Sequence, residues 1–145
     1  MKRIPNELFF VWVESEIEKG NSVRLRLKGN SMLPFLRNGV DEVVLYPCKK
    51  EDLHPMDIVL FRFKGRHLLH RIIKMDNNHL YIRGDGSIKA KEVCLYSDVV
   101  GKVQEIIRPS GKRITLNSIS WKVISYLWIN SGKLRVFILK IATRF

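Results

Sequence analysis

The sequence predicts an α+β fold, mainly β: a body of short antiparallel strands between a short N-terminal helix and a basic, amphipathic helical C-terminal segment. Three observations predict it. Between positions 22 and 116 the clearest runs alternate apolar and polar residues or are short and wholly apolar, as strands are. Turn-forming clusters punctuate the same stretch: Asn38-Gly39, Lys64-Gly65-Arg66, Asp76-Asn77-Asn78 and Pro109-Ser110-Gly111. At both ends of the chain the apolar spacing becomes helical. With 145 residues, 46% of them hydrophobic and 28% charged, the chain has the size and composition of one folded domain, 1–145.

The first helix is expected over 6–19. Pro5-Asn6-Glu7 opens it, because Asn6 can cap free backbone N–H groups and Glu7 suits the positive end of the dipole. Leu8, Val11 or Trp12, and Ser15 follow at helical spacing, and Gly20 is the stop. Over 22–28, Val23, Leu25 and Leu27 alternate with Arg24, Arg26 and Lys28, which makes a strand with one wet face. Gly29 ends it, Pro34 and Asn38-Gly39 mark turns, and 42–46 is a short strand. Strands at 58–63 and 67–75 form a hairpin across Lys64-Gly65-Arg66, and Asp76-Asn77-Asn78 leads on to 79–83. Strands at 99–108 and 113–116 flank Pro109-Ser110-Gly111. From Asn117 the spacing is helical again, with Ile124, Leu127 and Trp128 on one face and a break at Asn130-Ser131-Gly132. In the last piece Lys133, Lys140 and Arg144 share one face, and Leu134, Ile138 and Ile141 another.

Charge is the unusual property. The formal net charge is +12, and the stretch 101–145 carries nine Lys or Arg against one acid, Glu105. Such a bias points to an anionic partner: a membrane surface, nucleic acid or an acidic protein. The chain shows no helix-turn-helix, zinc pattern or aromatic RNA-binding box, which argues against nucleic acid. The apolar run from Leu8 to Val13 is too short for a signal peptide or a spanning helix, so the chain is expected to be neither exported nor membrane-spanning. Cys48 and Cys94, in no CxxC arrangement, fit buried thiols of a reduced compartment at least as well as one disulfide.

Three segments could carry chemistry. Ser31 follows a strand and Gly29, and Pro34 stiffens the exit from its turn. A serine hydroxyl becomes a nucleophile only when a base takes its proton. His70, within Leu68-Leu69-His70-Arg71-Ile72, is the best candidate, since apolar neighbours keep an imidazole neutral. The plainer alternative is a core histidine with a satisfied hydrogen bond. His67 and His70 spell HxxH, but residues three apart on a strand point to opposite faces, so no metal is expected. Asp85, between Gly84 and Gly86, can orient His70, or can be an ordinary turn aspartate.

Together these segments resemble the type I signal peptidases and their LexA-like relatives. "GNSMLPFL" (29–36) matches the family's serine box, Gly-x-Ser-Met-x-Pro-x-Leu, at every fixed position. "DIVLFRF" (57–63) followed by "HRIIKMD" (70–76) is similar to its second box, and Gly84-Asp85-Gly86-Ser87 to its third. "DVVGKV" (98–103) resembles the strand that closes the family's core. A base written His70-Arg71 is that of the endoplasmic-reticulum type, where bacterial signal peptidases and LexA-type repressors use lysine. The likeness covers roughly 22 to 107. Met56 stands where the family has glycine, and Lys89 and Lys91 stand near a further acid of the endoplasmic-reticulum type, leaving Asp85 as the orienting carboxylate. Family members carry an N-terminal membrane anchor, and here a short amphipathic helix is expected instead.

The resemblance implies a coiled antiparallel sheet and a cofactor-independent serine endopeptidase. Ser31 is then the nucleophile, His70 the base and Asp85 its orienting acid. Asn30, Met32 and Pro34 are expected around the oxyanion and the substrate. The substrate is an extended peptide or protein precursor with small residues beside the cut. The alternative is an inactive peptide-binding module on the same fold. A LexA-like self-cleaving switch fits less well, because the base is not lysine and no DNA-binding domain precedes the core. The basic segment 117–145 either packs on the β body with its lysines solvated or lies peripherally on an anionic membrane at its cytoplasmic face.

Overall fold

The structure, a computed structural model, describes residues 6–26, 29, 31–87 and 91–142. It is α+β and mainly β: one antiparallel sheet of eight strands and three helices among the described residues. The strands are β1 (Val23–Leu25), β2 (Glu42–Tyr46), β3 (Ile58–Phe63), β4 (Arg66–Met75), β5 (His79–Arg83), β6 (Glu92–Leu95), β7 (Val99–Ile107) and β8 (Arg113–Thr115). Their order across the sheet is β1-β2-β7-β3-β4-β5-β6, with β8 paired to β7. The nine residues of β7 serve three neighbours: the first part pairs with β3, β2 joins from Lys102 onward, and the last part lies between β2 and β8. Register shifts interrupt β2–β7, β3–β7 and β4–β5, and such irregularities bend a sheet.

The alternation expected around Arg24 is present, with Val23 and Leu25 buried and Arg24 exposed; Leu27 and Lys28 lie outside the described residues. The central strand β3 is buried on both faces and divides the core. Ile58 and Leu60 join a cluster with Val13, Leu45, Ile106 and Trp121, while Val59 and Phe61 join one with Ile72, Leu80 and Cys94. Gly101 on β7 permits this packing, since a Cβ there would stand 2.9 Å from both Leu45 Cγ and the Tyr46 carbonyl oxygen. The β3–β4 hairpin is tighter than expected. Its turn is the two residues Lys64 (φ 50°) and Gly65 (φ 75°), and Arg66 already pairs with Phe63.

The helices are α1 (Asn6–Glu18), α2 (Ile119–Ile129) and α3 (Lys133–Ala142). Gly20 (φ 88°) closes α1 as expected, with Gly20 N–H donating to Ile17 and Asn21 N–H to Glu16. The inner face of α1 differs from the one suggested by its apolar spacing. Val13 and Ile17 are buried, whereas Leu8, Val11 and Trp12 are exposed. Side-chain contacts set this rotation. Phe10 stacks on His67 at 4.3 Å, and Glu14 takes Arg62 Nε at 2.7 Å and meets His67 Nε2 at 3.1 Å.

Ser118 caps α2 by accepting from Trp121 N–H, and Gly132 (φ 55°) separates α2 from α3. Trp121 packs edge-on against Phe35 at 5.0 Å, so α2 lies over the segment that follows Ser31. In α3 the buried positions are Arg135 and Leu139, one turn apart, while Leu134, Ile138 and Ile141 are exposed. No helix among the described residues is long and apolar enough to cross a membrane.

Candidate active site

Ser31 opens a compact turn anchored by three inward-pointing apolar residues. Met32, Phe35 and Leu36 are buried, Leu36 N–H donates back to the Met32 carbonyl, and Ser31 itself is exposed. The turn is tied to the loop after β5. Gly86 N–H donates to the Ser31 carbonyl at 2.7 Å, and Asp85 N–H contacts Met32 Sδ at 3.4 Å. Gly84 must be glycine for this approach: a Cβ there would collide with the Ser31 carbonyl oxygen and stand 3.1 Å from His70 Cδ2. The missing side chain of Gly84 therefore lets the Ser31 backbone carbonyl and the His70 ring both close on this loop.

His70 is held on β4 opposite Val59 and is 5% exposed. Its Nδ1 stands 3.0 Å from Glu92 Oε1, although the two atoms are not aligned as a hydrogen bond. The Cδ2 atom that faces Gly84 adjoins Nε2, so the edge of the ring away from Glu92 is the edge toward the serine turn. Burial pushes the imidazole down to about 4 and pushes the Glu92 carboxyl up. His70 is therefore neutral at pH 7, the state a general base needs.

The carboxylate beside His70 is thus that of Glu92, one residue beyond Lys91 and on a strand that the sequence reading passed over. Asp85 is placed differently from the expectation. Both its oxygens are occupied by Arg71, with Nε–Oδ1 at 2.8 Å and Nη2–Oδ2 at 2.7 Å. Arg71 is fully buried, donates its Nη1 to the Met56 carbonyl, and lies over the rings of Phe35 and Trp121. A guanidinium's fork fits a carboxylate with two parallel hydrogen bonds, so arginine on the neighbouring strand outcompetes an imidazole for Asp85. Met56, standing for a glycine of the resembling family, has φ 80°, a left-handed conformation that glycine adopts more readily.

The C-terminal helices also reach this loop. Arg135 donates to the carbonyls of Gly84, Asp85 and Ser87, and Trp128 Nε1 donates to the Asp85 carbonyl at 3.1 Å. Arg83 donates in the reverse direction, to the Ile129 carbonyl at 3.5 Å. The basic segment is thus packed into the site's support as well as carrying surface charge.

Ser31, Met32, His70 and Glu92 line one cleft of about 730 Å³. Residues after β1 and residues of β4 share it although β2, β7 and β3 separate those strands in the sheet. Phe9 and Phe10 of α1 form part of its wall. Met32 contributes to the cleft while its sulfur is engaged by Asp85 N–H; Pro34 is exposed and outside the lining; Asn30 lies outside the described residues. His67 and His70 meet different carboxylates, Glu14 and Glu92. Among the described residues no group of three or more His, Cys, Asp or Glu is placed to hold a metal ion. Cys48 and Cys94 are free thiols, pushed up to about 11 and about 12 by burial, which suppresses the reactive thiolate. Comparison of the chain with protein-family models and with curated proteins finds no match.

Proposed function

We propose that the chain is a serine endopeptidase of the signal peptidase-like type, with Ser31 as nucleophile and His70 as base. The observation that carries this reading is that exposed Ser31 and buried, neutral His70 line one cleft, with the Ser31 carbonyl and the edge of the His70 ring both close against Gly84. The shared cleft between the end of β1 and β4 agrees with a sheet coiled back on itself, as the resembling family has. His70 Nε2 takes the hydroxyl proton of Ser31 as Oγ attacks the peptide carbonyl. Glu92 then stabilises the imidazolium. His70 returns the proton to the leaving amine, and water, deprotonated by His70, hydrolyses the acyl-enzyme. The Ser31 N–H is the proposed donor to the oxyanion, and the resemblance offers the Asn30 side chain as a second; loss of one such donor costs about 10²–10³ in rate. Asp85, held by Arg71, keeps the loop rather than the imidazole in place. The substrate is an extended peptide or protein precursor with small residues at the cut. The enzyme works in the cytoplasm, and α2 and α3 rest on the membrane's cytoplasmic face.

A covalent serine-directed probe tests the chemistry. Labelling of the wild type that is lost in both Ser31→Ala and His70→Ala, each folded by circular dichroism, is the expected result. A folded wild type that takes no label and cleaves no peptide from a library, yet binds some of them, would establish the inactive binding module instead.

A further inference from the structure

The cleft around Ser31 has an apolar floor and a cationic rim. Met32, Leu36 and Leu69 are buried beneath it, while the exposed side chains of Arg26, Arg37, Lys64 and Arg66 also line it. Two carboxylates share the lining, and both are committed inward. Asp41 has a fully buried side chain held by Arg37 and by Arg108, with Arg108 Nη1 at 2.7 Å. Glu92 faces His70. Beside the cleft, Glu14 is taken by Arg62 and His67, and Glu42 by Arg24 and Arg26. Lys64 in the β3–β4 turn and Arg66 just after it form no ion pair with a carboxylate among the described residues; the Lys64 ammonium stands 5.2 Å from the Phe63 ring centre. The opening of the cleft therefore presents positive charge, while the two carboxylates of its lining are buried, Asp41 in ion pairs and Glu92 against His70.

We infer that this rim selects substrate by charge: the extended peptide that lies over Ser31 carries Asp or Glu flanking the bond to be cut, and these side chains face Lys64 and Arg66. The inference rests on the peptidase reading for its placement of the cut. Its physics is independent of catalysis. A concave, partly apolar cleft concentrates the potential of its rim charges, which steers carboxylates in and repels cationic peptides. The resemblance implies small residues at the cut, and the charged rim adds a second requirement on the residues around them.

Three peptide sets test it, with identical small residues at the centre and glutamate, glutamine or lysine flanking them. Binding is measured by fluorescence anisotropy on Ser31→Ala, which cannot turn the peptides over, and cleavage is measured on the wild type. The glutamate set is expected to bind about 3- to 10-fold more tightly than the glutamine set at low salt, the sum of two open ion pairs. That advantage shrinks as salt is added. Lys64→Glu/Arg66→Glu in the Ser31→Ala background is expected to favour the lysine set. Circular dichroism of the charge-reversed protein, expected to match that of the wild type, separates a changed ranking from a lost fold. Equal binding of the three sets, no binding of any, or an unaltered ranking in the charge-reversed protein would overturn the inference. Selective binding without probe labelling would overturn the peptidase reading alone, and labelling without charge preference would overturn the inference alone.

Discussion

Two buried carboxylates near His70 have different tasks, and substitution separates them. Asp85 and Arg71 form a buried ion pair, so Asp85→Asn leaves a buried guanidinium short of a counter-charge and is expected to destabilise the fold by about 3–5 kcal/mol. Glu92 faces His70 with no hydrogen-bond partner on Oε2, so Glu92→Gln keeps the shape and removes the charge that meets the imidazolium. Its expected effect is a fall in kcat of up to about 10⁴-fold with the unfolding midpoint nearly unchanged. Denaturant titration and single-turnover cleavage read the two quantities, and the reverse pattern would return the orienting role to Asp85. The pH profile follows from the same residue. His70 is depressed from 6.5 to about 4 by burial, so the neutral base persists below 6.5 and is lost as pH falls through about 4. The rate of probe labelling is therefore expected to stay level between pH 7 and 6, where an ordinary histidine loses half its base; a midpoint at 6.5 would contradict the burial. Stability has the same sign, because between about 6.5 and about 4 the unfolded chain binds a proton that folded His70 refuses, so stability falls as pH falls through that window. The raised Glu92 opposes this at the acid end.

Elements that bury apolar residues in the expected rhythm were legible in the sequence; those fixed by partners far along the chain were not. The strands β2, β3 and β5 match their expected limits, Ser31 and His70 line one cleft, and the Gly84 loop is tied to Ser31 by the Gly86 N–H. β6 escaped because its alternation is inverted: Glu92 and Cys94 point inward while Val93 and Leu95 face out. A carboxylate buried against a histidine looks, in one dimension, like a solvated loop, and so the residue beside His70 was hidden along with its strand. The rotation of α1 was hidden for a related reason, since a stack on His67 and an ion pair to Arg62 override an apolar stripe. Helix α3 repeats the pattern, with Arg135 as its buried anchor instead of Leu134 or Ile138. Because Arg135 holds the carbonyls of Gly84, Asp85 and Ser87, it positions the loop whose Gly86 N–H fixes Ser31. Arg135→Ala is expected to lower kcat about 10²-fold, the usual effect of an ångström-scale misplacement, with KM within a few-fold of wild type. Arg135→Lys should restore part of it, since one ammonium can reach only some of those carbonyls. A lowered melting temperature with unchanged kcat would reduce Arg135 to a purely structural residue.

At the scale of the whole molecule, α2 and α3 have two faces with separate uses. One face supports the site through Trp121, Trp128, Arg135 and Leu139. The other exposes Ile119, Val123, Leu127, Leu134, Phe137 and Ile141, with Lys122 and Lys133 exposed among them. Apolar side chains interleaved with lysines, in the third of the chain that holds most of its excess charge, suit an anionic lipid surface, into which such a face dips without spanning. Each basic residue near that surface adds about 1 kcal/mol. Removing 117–145 would be a poor test, since it would also strip Trp128 and Arg135 from the Gly84 loop. Charge on the outer face is the cleaner perturbation. In vesicle flotation the full chain is expected to float with vesicles containing phosphatidylserine and to remain behind with purely phosphatidylcholine vesicles. Leu134→Glu/Phe137→Glu is expected to abolish flotation while labelling of Ser31 by the serine probe stays at the wild-type rate. Undiminished flotation of that variant would exclude this face as the docking surface. Lost flotation together with lost labelling would show that the outer face cannot be altered without disturbing the support it gives to Ser31 and His70.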